Sequence, residues 1–375
     1  MTIAIVTASI APYTDRLYNA FAQSSGEDLR VFACEEKMAW RAWELPTPKH
    51  YSLTTLKGFR RARKYGSGLY FNPGIVAELV RLKPEIVIVA GHFSPTMLLA
   101  AAYARTTGTT FGISTDGTLD TDPGERSRLH ASVRKLVIPW ADFGIGASEA
   151  SVRLLQRWGL AAGRCVVAPI VSAWDAPAQV PDYDQRPFDV LYSGFIDDET
   201  KGALFLADVL ARCGERGAAL KVRVIGDGPL RGKMQARLQA SSISVQFDGY
   251  LQQHQLAQAY ASAKLLAFPT RGDVWGLVAN EAALCGTPVL ASPHAASSQE
   301  LVARYGTGVV VPLDVEIWSS ALANIVSSPA TWRSFLKRRD EAIASFSLER
   351  SVAAMERAIT LGREARSRRR GLART

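Results

Sequence analysis

Residues 268–292 read FPTRGDVWGLVANEAALCGTPVLAS. The pattern predicts a strand ending near Thr270, a loop through Asp273, and a helix from Gly276 to about Cys285, with a second strand in TPVLAS (287–292). Gly276 carries no Cβ and so lets the backbone come close to a ligand. The amides of Leu277 and Val278 open the helix ahead of its internal hydrogen bonds, and a phosphate binds well at such a start. Asp273 in the loop and Glu281 about one turn into the helix can then face one pocket, one on each side of the phosphate position. Carboxylates suit that place because they accept hydrogen bonds from the paired hydroxyls of a sugar or ribose. A second reading of Glu281 is a favourable charge in the first turn of a helix dipole.

This strand–loop–helix–strand unit is repeated along the chain. Downstream of residue 187 the strands are FDVLYSG (188–194), LKVRVIGDG (220–228), ISVQFDG (243–249), AKLLAFPT (263–270), TPVLAS and TGVVVPL (307–313). Upstream they are IAIVTAS (3–9), EIVIVAG (85–91), TTFGIST (109–115), ADFGIGAS (141–148) and RCVVAPIV (164–171), with apolar helices such as 97–105 and 152–159 between. Strands apolar on both faces and spaced by helices predict parallel sheets covered on both sides. The pattern breaks in SAWDAPAQVPDYDQRP (172–187), which is rich in proline and acidic or amide residues. The resulting division is an N-terminal domain over 1–175, a linker over 176–187, a C-terminal domain over 188–345, and a C-terminal helix with basic tail over 346–375 that packs back on the N-terminal domain. Ligands in doubly wound folds sit at the carboxyl ends of the strands, so the expected site is a cleft between the two domains.

Composition narrows the class. The 375 residues suit two domains, and 47% hydrophobic with 21% charged residues describes a globular chain rather than a disordered one. No apolar run reaches the roughly 18 residues a bilayer span requires, and MTIAIVTASIAPY lacks the basic start of a signal peptide. Cys34, Cys165, Cys213 and Cys285 are far apart, which predicts neither a disulfide framework nor a zinc site. The net charge of +9 is clustered at Lys57, Arg60, Arg61, Arg63 and Lys64, and in a tail from Arg363 to Arg374. Such clusters attract phosphates. The tail reads as frayed and solvated. The 57–64 cluster reads equally as a solvated face or a phosphate-attracting one.

Asp273, seven residues, Glu281, and then Ala282, Gly286, Pro288 and Val289 resemble the signature of glycosyltransferase family four, retaining enzymes of the GT-B fold. That fold is an α/β arrangement of two Rossmann-like doubly wound domains facing each other across a cleft. The family more often has Glu where Asp273 stands. The resemblance implies that Asp273 binds hydroxyls of the donor sugar and Glu281 the ribose. YSGFIDDETKG (192–202) resembles the family's segment whose Arg and Lys hold the diphosphate; Gly194, Lys201 and Gly202 fit, and Phe195 stands where the Arg is expected. VIGDGPLR (224–231) is similar to the family's turn below the nucleotide, with Gly226, Asp227 and Gly228, and 247–270 is similar to the element carrying the base, with Tyr250 and Leu251 near it. The likeness is specific over 188–292 and loose before 150, where APYTDRLYNAF (11–21) resembles a subset of the family.

Other residues join the candidate set. His92 follows the strand EIVIVAG, where the family places a His on the donor sugar; a capping or core role is the alternative. Asp116 in STDGT is a candidate acceptor contact or a turn residue before Gly117. Asp120-Thr121-Asp122 forms the D-x-D triplet that binds manganese in another fold, but here it lies beside Pro123 and Gly124 in a loop, and no metal is predicted. Gly226-Asp227-Gly228 lacks the third glycine of a dinucleotide fingerprint. Because Phe195 cannot neutralise a diphosphate, Arg271 and Arg16 are candidates to do so, Arg16 from the other domain as the domains close.

The expected protein is therefore a retaining glycosyltransferase. It would move a sugar from a UDP- or GDP-sugar to a hydroxyl on a lipid-linked or polysaccharide glycan of bacterial surface assembly, without metal or other cofactor. Its expected partners are the nucleotide-sugar donor, the glycan or lipid-linked acceptor and an anionic membrane surface, with no nucleic acid. Its expected place is the cytoplasm, peripheral at the inner face of the membrane. A sugar-nucleotide epimerase of the same fold and a nucleotide-binding protein with lapsed catalysis are the alternatives.

Overall fold

The computed structural model describes residues 1–36, 46–61, 68–91, 94–122, 127–239, 241 and 243–372, with side chains up to Arg368. The chain divides into two compact units, Met1–Val171 with Ser347–Thr375, and Ser172–Phe346.

The first unit holds strands β1 (Thr2–Thr7), β2 (Asp28–Ala33), β3 (Ser52–Thr55), β4 (Phe59–Arg61), β5 (Leu69–Phe71), β6 (Ile86–Ala90), β7 (Thr110–Thr115), β8 (Phe143–Gly146) and β9 (Cys165–Val167). Seven of them form a parallel sheet in the order β3-β2-β1-β6-β7-β8-β9, while β4 and β5 pair as a separate antiparallel ribbon. Helices cover both faces, so the central strands are apolar on both sides. Ala4, Val6, Val87, Val89 and Ile113 pack with Ile75, Leu79 and Met97 on one face. Ile3, Ile5, Leu29, Ile86 and Ile88 pack with Phe21, Met355 and Ile359 on the other. The sequence reading did not include β2 to β5. Asp28–Ala33 (DLRVFA) is short and mixed in polarity, and its strand state comes from pairing along the whole length of β1.

The second unit holds β10 (Phe188–Ser193), β11 (Lys221–Ile225), β12 (Ser244–Gly249), β13 (Ala263–Phe268), β14 (Val289–Ala291) and β15 (Gly308–Val310). Their order is β12-β11-β10-β13-β14-β15, all parallel. The order reverses between β10 and β13, and such a switch point opens a crevice at the carboxyl ends of the strands. Both units are Rossmann-like, as the sequence predicts.

Two expectations change. Residues 172–187 are not a free linker following a domain that ends at 175; they group with the second unit from Ser172 onward. Trp174 lies 6.2 Å from the Tyr260 ring, and the Tyr183 hydroxyl donates to the Val326 carbonyl. Arg186 is only 3% exposed and donates to the carbonyls of Pro181, Ala263, Cys285 and Gly286. The basic tail is not frayed through the described residues either, because one helix runs from Leu348 to Leu372. It packs on the helix Pro12–Ser25 and on β7, β8 and β9. Ser351 Oγ donates to Pro169 O (2.6 Å), and Arg363 pairs with Glu27 (2.5 Å).

Candidate functional site

Loops from the carboxyl ends of β10, β11, β12 and β13 build the site in the second unit. After β10 the Gly194 amide donates to Ile225 O (3.0 Å), and after β11 the Gly226 amide donates to Gly249 O (2.7 Å). Gly226 has φ +118°, and a Cβ there would lie 1.9 Å from the Gly194 carbonyl oxygen. Backbone thus rests on backbone, which only glycine permits. Asp227 and Gly228 complete this turn, the Asp227 side chain standing 65% exposed and 3.9 Å from Arg231. Tyr250 is exposed and Leu251 half-buried just beyond β12.

The loop between β10 and the helix Ala203–Glu215 is shaped by two carboxylates. Asp197 accepts from the amides of Thr200 (2.8 Å) and Lys201 (2.9 Å), and Asp198 accepts from those of Leu204 (3.0 Å) and Phe205 (3.1 Å) at the helix start. These bonds order the loop before any ligand arrives, and they fix where Lys201 projects. Its ammonium pairs with the Asp273 carboxylate. The sequence assigns these two residues to different parts of a donor; the structure joins them in one ion pair. Arg271 sits beside them. Its amide donates to Thr200 O (2.8 Å), and its guanidinium lies 3.4 Å from Asp198 and over the Phe205 ring at 5.9 Å. The Phe195 carbonyl accepts from the Tyr192 hydroxyl (2.8 Å).

The loop after β13 is anchored by Trp275, 1% exposed, whose indole donates to Asn280 Oδ1 (2.9 Å). Gly276 follows at φ +92°, and a Cβ there would meet the Phe268 ring at 2.5 Å. The helix spans only Val278–Leu284. Its internal bonding starts with Ala279 N–H to Gly276 O and Glu281 N–H to Leu277 O, so the amides of Leu277 and Val278 stand ahead of it. Seven residues carry little macrodipole, so any anion binding here depends on individual amides.

Glu281 lies in the first turn of this helix, as the sequence allows, but does not reach freely into solvent. It is 8% exposed, and its carboxylate accepts from the Tyr260 hydroxyl (2.6 Å). The Ser193 hydroxyl, at the end of β10, lies 3.0 Å from that same phenol oxygen. Burial pushes the Glu281 carboxyl up from 4.5 to about 7, and the Tyr260 bond pulls partly against it. Burial likewise raises the Tyr260 phenol well above its ordinary value. The site thus contains an acid that changes charge near neutrality. Sequence reasoning missed Tyr260 and Ser193. Tyr260 lies on the helix Gln253–Ala261, where a lone aromatic among alanines reads as core, and only folding aims its hydroxyl at Glu281.

In the first unit, Asp116 is exposed just past β7, its carbonyl accepting from Ser151 Oγ (3.0 Å). Arg16 lies on the helix Pro12–Ser25. Asp122 of the D-x-D triplet is 3% exposed, pairs with buried Arg134 and accepts from the Trp158 indole (2.8 Å). Its carboxylate holds the loop to the core. His92, Arg63 and Lys64 lie outside the described residues.

Residues 187–328 match the family described as glycosyl transferases group 1. The GDP-mannose-dependent alpha-(1-6)-phosphatidylinositol dimannoside mannosyltransferase of Mycobacterium tuberculosis is 31% identical over 165 residues, 44% of this chain and 41% of the relative. The match thus spans about two fifths of that relative's length. Among solved structures, the lipopolysaccharide outer core galactosyltransferase WaaB superposes with a TM-score of 0.69 at 18% identity, covering 96% of this chain and 99% of the other. Anabaena HepE in complex with UDP superposes at 0.71 with 15% identity, covering 96% and 100%. The chain therefore has the GT-B fold and carries, over residues 187–328, a glycosyl transferases group 1 domain.

Proposed function

We propose that the protein is a retaining glycosyltransferase that takes a sugar from a UDP- or GDP-sugar and passes it to a hydroxyl of a lipid-linked or polysaccharide glycan. The observation that carries this reading is the Lys201–Asp273 ion pair on loops beside the switch point, with the buried Glu281 on the short helix that follows the Asp273 loop, in a segment that matches the group 1 family. In this reading Glu281 takes the ribose hydroxyls, Asp273 the donor sugar, and Lys201 and Arg271 the diphosphate. The first unit takes the acceptor, with Asp116 and His92 as candidate contacts. The new bond from the acceptor oxygen to the anomeric carbon forms on the face from which the diphosphate leaves, and the acceptor proton passes to a departing phosphate oxygen. The protein's contribution is positioning and the neutralising of leaving-group charge. We assign the reaction no metal, because Asp122, the buried half of the D-x-D triplet, is committed to Arg134 and Trp158.

UDP appears with HepE in its solved complex and GDP-mannose in the name of the mycobacterial relative, so both nucleotides belong in the test. A thermal-shift panel of nucleotide sugars identifies the donor, and product analysis with a glycan acceptor identifies the reaction. Stoichiometric conversion of the donor without acceptor would establish the epimerase instead. Binding with neither conversion nor transfer would establish the lapsed enzyme, the reading that Phe195 in the place of the expected arginine favours.

A further inference from the structure

Outside the transfer site, the β4–β5 ribbon presents a surface that the reaction does not use. Its register sets Phe59 opposite Phe71, Arg60 opposite Tyr70, and Arg61 opposite Leu69. Alternation along each strand then puts Arg60 and Tyr70 on one face and Phe59, Arg61, Leu69 and Phe71 on the other. The first face is locked to the unit. Tyr70 is 2% exposed; its hydroxyl donates to Glu35 (2.5 Å), and Arg60 pairs with the same carboxylate. The Tyr70 amide donates to Ser94 Oγ (2.9 Å), and Ser94 Oγ donates back to Tyr70 O (2.8 Å). Just past β5, Asn72 Nδ2 donates to Cys34 O and Leu56 O.

The opposite face therefore stands outward on a fixed support. Phe59 is 66% exposed, Phe71 47% and Leu69 42%. An antiparallel pair with one face on the core ordinarily turns polar residues to water. Clustered apolar exposure of this kind marks a contact surface. Its charge identifies the partner. Residues 57–72 include Lys57, Arg60, Arg61, Arg63 and Lys64 and no acidic residue. Three apolar side chains are too few for a stable protein interface, which takes roughly 800 Å² per partner. Apolar side chains on a segment whose charged residues are all cations suit the headgroup region of an anionic bilayer, where rings enter the acyl boundary and cations meet lipid phosphates.

We propose that the β4–β5 ribbon docks this protein reversibly on an anionic membrane, with Phe59, Leu69 and Phe71 entering the interface and Lys57 and Arg61 contacting lipid phosphates. Docking gives a place to the peripheral surface partner expected from the sequence, but it does not depend on the transfer reading, since a lapsed enzyme would dock equally well.

Vesicle flotation of the full chain without nucleotide tests it. The vesicles are phosphatidylcholine with or without about one third phosphatidylglycerol, in about 50 mM and about 500 mM salt. The wild type is expected to float only with the anionic vesicles. Phe59→Ser/Phe71→Ser is expected to cut the floated fraction at least about fivefold, and Arg61→Glu is expected to cut it too, more at low salt than at high. Should the double variant fail to fold, as judged by its melting curve, Phe59→Ser alone carries the test, with at least about a twofold loss expected. No flotation of the wild type at low salt, or apolar variants that float like the wild type, overturns the proposal. Release of the wild type from vesicles by single-stranded RNA at equal charge also overturns it, in favour of a nucleic-acid surface.

Discussion

Replacing Glu281 by Gln probes the buried acid directly. The carboxyl is held at about 7 in the folded protein, against 4.5 ordinarily, with burial as the main cause. A difference of that size makes the ionised form about 3 kcal/mol costlier in the folded protein than in the unfolded chain. Because the folded value is the higher one, the stabilising contribution is complete below 4.5 and is lost as pH rises through about 7. Gln keeps the shape and an oxygen to accept from Tyr260, but it cannot ionise. Urea unfolding of both proteins, compared at pH values between about 4 and about 8, isolates this residue because the other titrating groups cancel. The variant should gain on the wild type across that range by about 3 kcal/mol and then hold a constant lead at higher pH. A difference that stays flat between about pH 4 and about pH 8 would refute the reasoning, since the carboxyl would then titrate alike in both states. The same pair tests function. If ribose hydroxyls bind the carboxylate, nucleotide affinity of the wild type should rise as pH rises through about 7 and level off above it, while Glu281→Gln should bind weakly at every pH and transfer poorly.

Tyr260→Phe removes the hydroxyl that holds Glu281 and pulls its pKa down. It should move the stability transition to higher pH and weaken nucleotide binding about tenfold; unchanged binding with an unchanged pH profile would limit Tyr260 to packing. If Arg16 neutralises the leaving diphosphate, as the sequence reading has it, Arg16→Ala should lower kcat more than it raises KM, and Arg271→Ala tests the same role from beside Lys201. Wild-type kinetics in both variants would leave Lys201 and the loop amides as the neutralising groups. Asp122→Ala should destabilise the fold by about 3–5 kcal/mol by removing the buried carboxylate that pairs with Arg134. EDTA should leave turnover intact, and a loss that manganese restores would overturn the structural role given to Asp122.

Hydrophobic patterning alone established two doubly wound halves, because central parallel strands are covered on both faces and so read as unbroken apolar runs such as IVIVA in β6. Gly226 and Gly276, singled out in the sequence, stand where backbone meets backbone or ring too closely for any Cβ. Strands β2 and β3, at one side of the first sheet, escaped the patterning. β3 is exposed along most of its length, and β2 gains its strand character from register with β1. The roles of single charged groups escaped it as well. Nothing in the spacing of Asp120 and Asp122 distinguishes a metal ligand from the partner of Arg134, and nothing in 253–261 marks Tyr260 as the donor to Glu281. Spacing along the chain specifies which residues share a loop or a face. Burial, ion pairing and the pKa of an acid depend on neighbours brought in from distant sequence. For Glu281, Asp273 and the β4–β5 ribbon, those neighbours are Tyr260, Lys201 and Glu35, and only the tertiary structure supplies them.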